Sequence, residues 1–336
     1  MNAKLLGVSV SLLMLAGATA GRAEDDKDKE TEKTGIPSPS IATSLPSEIA
    51  DPGDIRRALA ERGVTYKLNY TGDVLANVTG GLRQGVGYDG LVELVLDVDL
   101  EKRIGWKGAT FHTNAYQIQG GGFTDRSIGS LIAVSSIEAL ATTRLYEAWF
   151  EQKLFNDQLS IRFGQLGADT EFLTSATASH FINSTFGWPT ITTLDLPSGG
   201  PAYPLATPAI RVRFDPQPSL SLLTAVFNGD PAGPGTGDPQ ARDPYGLNFR
   251  ASDPPLWIGE AQYKYNQEKQ VGELPGVLKL GGWYHTGTFD DVRFGTDRLS
   301  LAFGNGIPAM LSGNWGVYGV LDQQIWRLSD KDPEKG

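Results

Sequence analysis

From Val64 onward this chain keeps a period of two for longer than most folds can use. Val64, Tyr66, Leu68, Tyr70, Gly72, Val74, Ala76 and Val78 fall on one side, and Thr65, Lys67, Asn69, Thr71, Asp73, Asn77 and Thr79 on the other, with Leu75 the single exception. A second run sets Gly90, Val92, Leu94, Leu96, Val98 and Leu100 against Asp89, Glu93, Asp97, Asp99 and Glu101. Alternation of this kind marks β-strands with one apolar and one polar face. Each run is about 15 residues, so at ~3.3 Å per residue it extends ~50 Å, or ~35 Å in height at a tilt of about 45°. Strands in β-sandwiches usually run to about 5–6 residues. A transmembrane β-barrel, with an apolar band of about 25 Å and a wet polar lumen, uses the full length.

The segments before Val64 read differently. Lys4, the apolar run Leu5–Leu15 and the small-x-small Ala18-Thr19-Ala20 form a secretory signal over residues 1–23, too short for a spanning helix of about 20 apolar residues. Residues 24–53 open with E-D-D-K-D-K-E-T-E-K-T and continue rich in Pro, Ser and Thr, which predicts a disordered periplasmic leader. Residues 54–63 predict a short helix: Asp51-Pro52-Gly53-Asp54 starts it, I-R-R-A-L-A-E-R forms it and Gly63 stops it. Residues 64–336 are then the barrel region. No cysteine is present, so disulfides and thiolate metal sites are excluded, and a net charge of −10 argues against a nucleic-acid partner.

Further alternating runs follow. Phe111–Ile118 is weakly patterned; Tyr146, Ala148, Phe150 and Leu154 oppose Glu147, Trp149, Glu151 and Lys153; Leu159, Ile161 and Phe163 oppose Ser160 and Arg162; Ile210, Val212 and Phe214 oppose Arg211 and Arg213. Leu220–Phe227 is ambiguous in facing, and three more runs carry Trp257, Leu278 and Trp315 on their apolar sides, for ten strands in all. Short connections at 102–108, 155–158, 215–218 and 266–276 alternate with long ones at 119–143, 166–207, 228–255 and 286–312. Short periplasmic turns and long outer loops give a barrel this alternation, whereas a sandwich has no reason for it. The longest connection holds five prolines between Pro189 and Pro208, and a stretch of that length without its own period is typically a functional loop. It is expected to fold into the mouth or lumen.

Enzyme chemistry has little support. His112, His180 and His285 lack metal-ligand spacing, there is no Gly-x-Ser-x-Gly elbow or phosphate-cradling loop, and Asp169-x-Glu171 reads more simply as loop acids facing barrel arginines. No catalytic residue, metal or cofactor is expected. Parity instead sends Arg162, Arg211 and Arg213 inward beside the long loop, with Glu147, Trp149 and Glu151 on the preceding strand. Guanidinium forks donate paired hydrogen bonds, carboxylates accept them and an aromatic plane packs on the C–H face of a sugar, so such a track suits neutral polyols. The alternative is that these inward charges cross-brace the wall.

Five segments carry a family resemblance: G-Q-L-G-A-D-T-E-F at 164–172, F-I-N-S-T-F-G-W-P at 181–189, L-P-S-G-G-P-A-Y-P at 196–204, L-W-I-G-E-A-Q-Y at 256–263 and G-N-W-G-V-Y-G-V-L-D-Q at 313–323. From about Ile55 to Trp326 the chain resembles the carbohydrate-selective porins of Gram-negative outer membranes, the OprB family. The resemblance implies an all-β fold, an antiparallel transmembrane barrel of about 16 strands with a short N-terminal helix. It also implies passive diffusion of monosaccharides such as glucose, contact with outer-membrane lipid, no cofactor, and either a monomer or a homotrimer. By position, Asp169, Glu171 and the segment from Asn183 to Pro189 look like part of the constriction. Ten strands and a polar S-D-K-D-P-E-K-G end depart from that pattern, and the expectation is a chain lacking about six strands, since open edges are not tolerated in lipid. A general or anion-preferring channel, and a soluble periplasmic sugar-binding β-protein, are the competing readings.

Overall fold

The computed structural model describes residue 36 and residues 40–267 and 273–327. The signal segment and half of the leader fall outside these residues; the described half of the leader includes the short helical turns Ile41–Ser44 and Ser47–Ala50. The helix forms at Ile55–Ala60, where Asp51 accepts the orphan amides of Arg56 (2.6 Å) and Arg57 (3.2 Å). Gly63, at a φ of 76°, ends the turn and its carbonyl receives the amide of Asp99 (2.7 Å). The guanidinium of Arg56 lies 3.9 Å above the ring of Tyr66, tying the helix to the first strand.

Ten strands among the described residues form one sheet: β1 (Val64–Asn77), β2 (Gly85–Asp99), β3 (Ala109–Gly120), β4 (Thr143–Leu154), β5 (Leu159–Leu166), β6 (Thr207–Gln217), β7 (Leu220–Asn228), β8 (Pro255–Tyr265), β9 (Gly276–Gly295) and β10 (Pro308–Gln323). Every strand is antiparallel to its sequence neighbour, and β1 and β10 are the two edges. The meander is the up-and-down wall of a barrel, open between β1 and β10. Its apolar parity holds: Leu68, Tyr70 and Val74 of β1, Phe163 of β5, Ile210 of β6, Trp257 of β8 and Leu280 of β9 are all exposed on the outward face. Asp73, Asp89, Glu151, Arg211 and Glu260 are buried on the inward face. No helix among the described residues is long and apolar enough to cross a membrane.

Three local features depart from simple alternation. The predicted loop 286–312 is shorter, because β9 continues to Gly295 and β10 begins at Pro308. Backbone pairing persists there although T-G-T-F-D-D-V-R-F-G has no apolar face, since a hairpin beyond the apolar band needs none. Tyr146 was expected outward with Ala148 and Phe150, yet it is buried on the inward side. Thr113 pairs with Ala148 and Ala115 with Leu145, so Tyr146 and Glu147 together oppose Asn114 in a bulge. The extra residue turns both side chains inward. In β7, Leu223, Ala225 and Phe227 face inward and Leu222 and Val226 outward, so both faces are apolar.

The inward apolar face of β7 is explained by what covers it. Ala168, Phe172, Leu173, Trp188, Leu196 and Ala202 from the long connection pack with Leu166, Ala209, Leu223, Ala225, Phe227, Leu256, Ile258 and Trp283 of the wall. The concave side of β6–β9 is therefore packed against the loop rather than left as open lumen. Full burial of each Leu or Phe in such a core contributes about 1.5–3 kcal/mol, enough to hold inside the barrel a loop that has only short helical turns of its own.

Candidate functional site

One rung of the sheet organises the concave face. Glu151 of β4 pairs with Arg162 of β5, which pairs with Arg211 of β6. Two arginines directly opposite each other repel, and carboxylates on both sides resolve the conflict. Glu151 reaches Arg211 Nη2 at 2.9 Å and Arg162 Nη2 at 3.5 Å. Glu171, carried in by the 167–206 loop, meets Arg211 Nε at 2.5 Å and Arg211 Nη2 at 2.8 Å, and also binds Arg162 Nη1. Ser160 donates to Glu151, while Arg211 Nη1 donates to the Ser160 hydroxyl at 2.5 Å. Two cations and two anions thus form a neutral quartet; Arg211 is 3% exposed, and Arg162 and Glu171 each keep 16% of their side-chain surface.

The next rung stacks on this quartet. His112 of β3 pairs with Trp149 of β4, which pairs with Gly164 of β5. The imidazole stacks on the indole at 4.6 Å, and the Arg162 guanidinium lies 3.6 Å from the same indole. His112 and Arg162 come from strands flanking β4, so both ring faces of Trp149 are taken up. Asp97 of β2 holds His112 Nδ1 at 2.6 Å. Gly164 adopts a φ of 140°, and a Cβ there would lie 2.7 Å from the Cα of Trp149; the position needs glycine.

The other candidate residues have separate roles. Glu147 accepts the amide of Gly167 at 2.9 Å and the Thr170 hydroxyl at 3.3 Å, fastening the start of the loop. Asp169 takes the Tyr146 hydroxyl at 2.5 Å and the Tyr203 amide at 2.9 Å. The residue retains some surface, but its carboxylate is enclosed, and burial raises its pKa although both hydrogen bonds pull it down. Asn183 caps the turn Ser184–Phe186 by accepting the Thr185 amide at 3.0 Å. Arg213 turns to the short-turn end, bound to Asp215 at 2.8 Å and Ser221 at 3.0 Å. The fold therefore brings together Glu151, Arg162, Trp149, Arg211 and Glu171, sets Glu147 and Asp169 beside them as loop anchors, and leaves Arg213 and Asn183 elsewhere.

Three residues that matter here were not singled out as site residues in the sequence, although Glu260 and Asp322 lie in the family segments. Glu260 accepts the Leu173 amide at 3.0 Å and the Tyr318 hydroxyl at 2.7 Å; Lys279 donates to the Thr174 carbonyl at 2.6 Å; Asp322 takes Ser175 at 2.5 Å and the Thr177 hydroxyl at 2.7 Å. These inward polar groups of β8, β9 and β10 pin residues 173–177 across the concave face. Their parity was readable, but their loop partners lie 87 to 147 residues away in sequence. Above them, the loops bound a cavity of about 430 Å³ whose lining includes Glu138, Asp169, Ser184, Trp188, Tyr203 and Gln240.

A sheet wall with its longest connection folded inward by paired charges is the plan of a constricted porin, and the family comparison decides which. The model of the carbohydrate-selective porin, OprB family, matches residues 83–336. The chain belongs to that family. Porin B of Pseudomonas aeruginosa is 26% identical over 276 residues, covering 79% of this chain and 56% of the relative. The high-pH structure of Pseudomonas putida OprB superposes with a TM-score of 0.71 at 24% identity, covering 82% of this chain and 65% of that one. The chain thus spans somewhat over half the length of the curated relative. The family is one of carbohydrate-selective porins rather than enzymes, and the fold of this chain is the antiparallel porin wall.

Proposed function

We propose that this OprB-family chain forms part of an outer-membrane pore through which neutral monosaccharides such as glucose diffuse passively. The observation that carries the reading is the charge-neutral quartet of Glu151, Arg162, Glu171 and Arg211, which joins the wall to the in-folded loop. Each guanidinium in it faces two carboxylates, so an anion would have to displace an internal partner. A neutral polyol need only exchange water for hydroxyl contacts. That balance favours sugars over the anion-preferring alternative. The faces of Trp149 are occupied and Trp188 is buried in the core, so the partners the cavity above offers to sugar hydroxyls are the polar groups in its lining, Glu138, Ser184 and Gln240.

The test is ion conductance in planar bilayers of the protein extracted from outer membranes. Glucose is expected to reduce conductance in a saturable way, with weak ion selectivity. A soluble periplasmic distribution, or strong anion selectivity without any effect of glucose, refutes the reading.

A further inference from the structure

The connection after β7 does something the other long connections do not. Its first part lies inside, where Asp243 accepts Arg144 Nη2 through its carbonyl at 2.8 Å. It then passes through the wall beside β4, with the Tyr245 carbonyl taking the Leu145 amide at 3.0 Å and the Gly246 carbonyl taking the Gln165 amide side chain at 2.9 Å. Residues 249–253 emerge over the outward face of β5–β7 and are fixed there by Arg250 and Asn228. Arg250 grips Asp253 at 2.6 and 2.9 Å, and Asn228 both accepts the Asp253 amide at 2.9 Å and donates to its carboxylate at 3.0 Å. The Arg250 guanidinium holds the Asp253 carboxyl below the usual carboxylate range, as expected of a tight clasp.

Beneath this flap is a groove of about 680 Å³, floored by Phe163, Pro208, Ile210 and Val226 and roofed by Phe249 and Ala251. The volume lies in the range of small-molecule pockets, about 300–1,000 Å³. What can fill it follows from its hydrogen bonding. The strand backbones in its floor are paired in the ladder, Gln165 is committed to the Tyr146 and Gly246 carbonyls, and Asn228 and Asp253 are committed to each other, Asn228 also to the Asp230 carbonyl and Asp253 also to Arg250. A peptide segment inserted here would bury backbone groups without partners. A hydrocarbon chain has no such requirement, and the groove is continuous with the outward apolar belt of Phe163, Ile210, Leu222 and Trp257.

We propose that this groove is a specific seat for one acyl chain of a bilayer lipid, clasped between the porin wall and the 249–253 flap. The proposal rests on the membrane reading of the sheet. It can be tested on the full chain reconstituted in phosphatidylethanolamine vesicles containing a phospholipid with a diazirine near the acyl terminus, with adducts mapped after photolysis. Adducts at Phe163, Ile210 and Phe249 should be about fivefold denser than at the belt residues Leu222 and Leu280, the ratio that roughly 1 kcal/mol of preference produces. Ala251→Trp, which fills the groove, and Phe249→Ala, which removes its roof, should each lower adducts at Phe163 and Ile210 to the belt level while leaving Leu222 and Leu280 unchanged. Equal density at groove and belt in the unaltered chain overturns the proposal while sparing the membrane reading. Absence of adducts at groove and belt alike overturns both.

Discussion

Replacing Arg211 by Met isolates the contribution of the quartet. The change keeps the length and apolar stem of the side chain but removes the only member that binds Glu151, Glu171 and Ser160 together. Arg162 alone is then left with two carboxylates, and the quartet goes from neutral to a charge of −1. Breaking a buried pair by deleting one partner costs about 3–5 kcal/mol, or roughly 140- to 3,700-fold in a local opening equilibrium at 1.4 kcal/mol per decade. Because residues 173–177 keep their own anchors on Glu260, Lys279 and Asp322, the loss is local. Amide hydrogen exchange at residues 170–172 should accelerate by that factor while exchange at Leu173 and Thr177 changes little, and the reversal potential of the open pore should shift toward cation selectivity. Combining it with Glu171→Gln restores neutrality and should recover part of the protection, with a coupling of about 0.5–3 kcal/mol. Unchanged exchange and an unshifted reversal potential in Arg211→Met would show that the quartet does not hold the loop, because a buried quartet cannot lose a member silently.

Asp169 gives a pH test. Its native pKa is raised, so it contributes stability that is complete below the ordinary aspartate value of about 3.9 and is lost as pH rises through the raised native value. The urea stability of the wild-type protein relative to Asp169→Asn should therefore fall over that window, and a difference independent of pH would contradict the assignment. Arg213→Ala should cost less than about 1 kcal/mol and leave glucose block unchanged, because its partner Asp215 is local and about a third exposed; bilayer conductance checks this. Gly164→Ala should destabilise by about 1–3 kcal/mol, as expected for an L-residue forced to a φ of 140° against Trp149, read as a lower temperature for loss of heat-modifiable gel mobility.

Strand number, strand facing and the rung of inward charges were legible in the sequence because a period of two is a local property. Val64–Asn77 alternates except at Leu75 and the second run alternates from Asp89 on, and Arg162, Arg211 and Glu151 needed only parity to be placed inward. The bulge at Tyr146 and Glu147 was not legible, since a single inserted residue reverses facing without altering composition. Nor was the exterior flap at 249–253, whose clasp has no periodic signature.

Alternating strands, alternating turn lengths and the five family segments are enough to imply an antiparallel porin sheet with a long loop beside inward arginines. The use made of those side chains was set by the folded chain. Whether Arg213 joins Arg211 or turns to Asp215, whether a sugar or His112 and Arg162 occupy the faces of Trp149, and where the apolar inner face of β7 is buried all depend on contacts with a loop distant in sequence. The physical reason is range: hydrophobic alternation reports which medium a strand face meets on average, whereas charge pairing and packing are settled within a few ångströms by whichever residues the closed-in loop delivers.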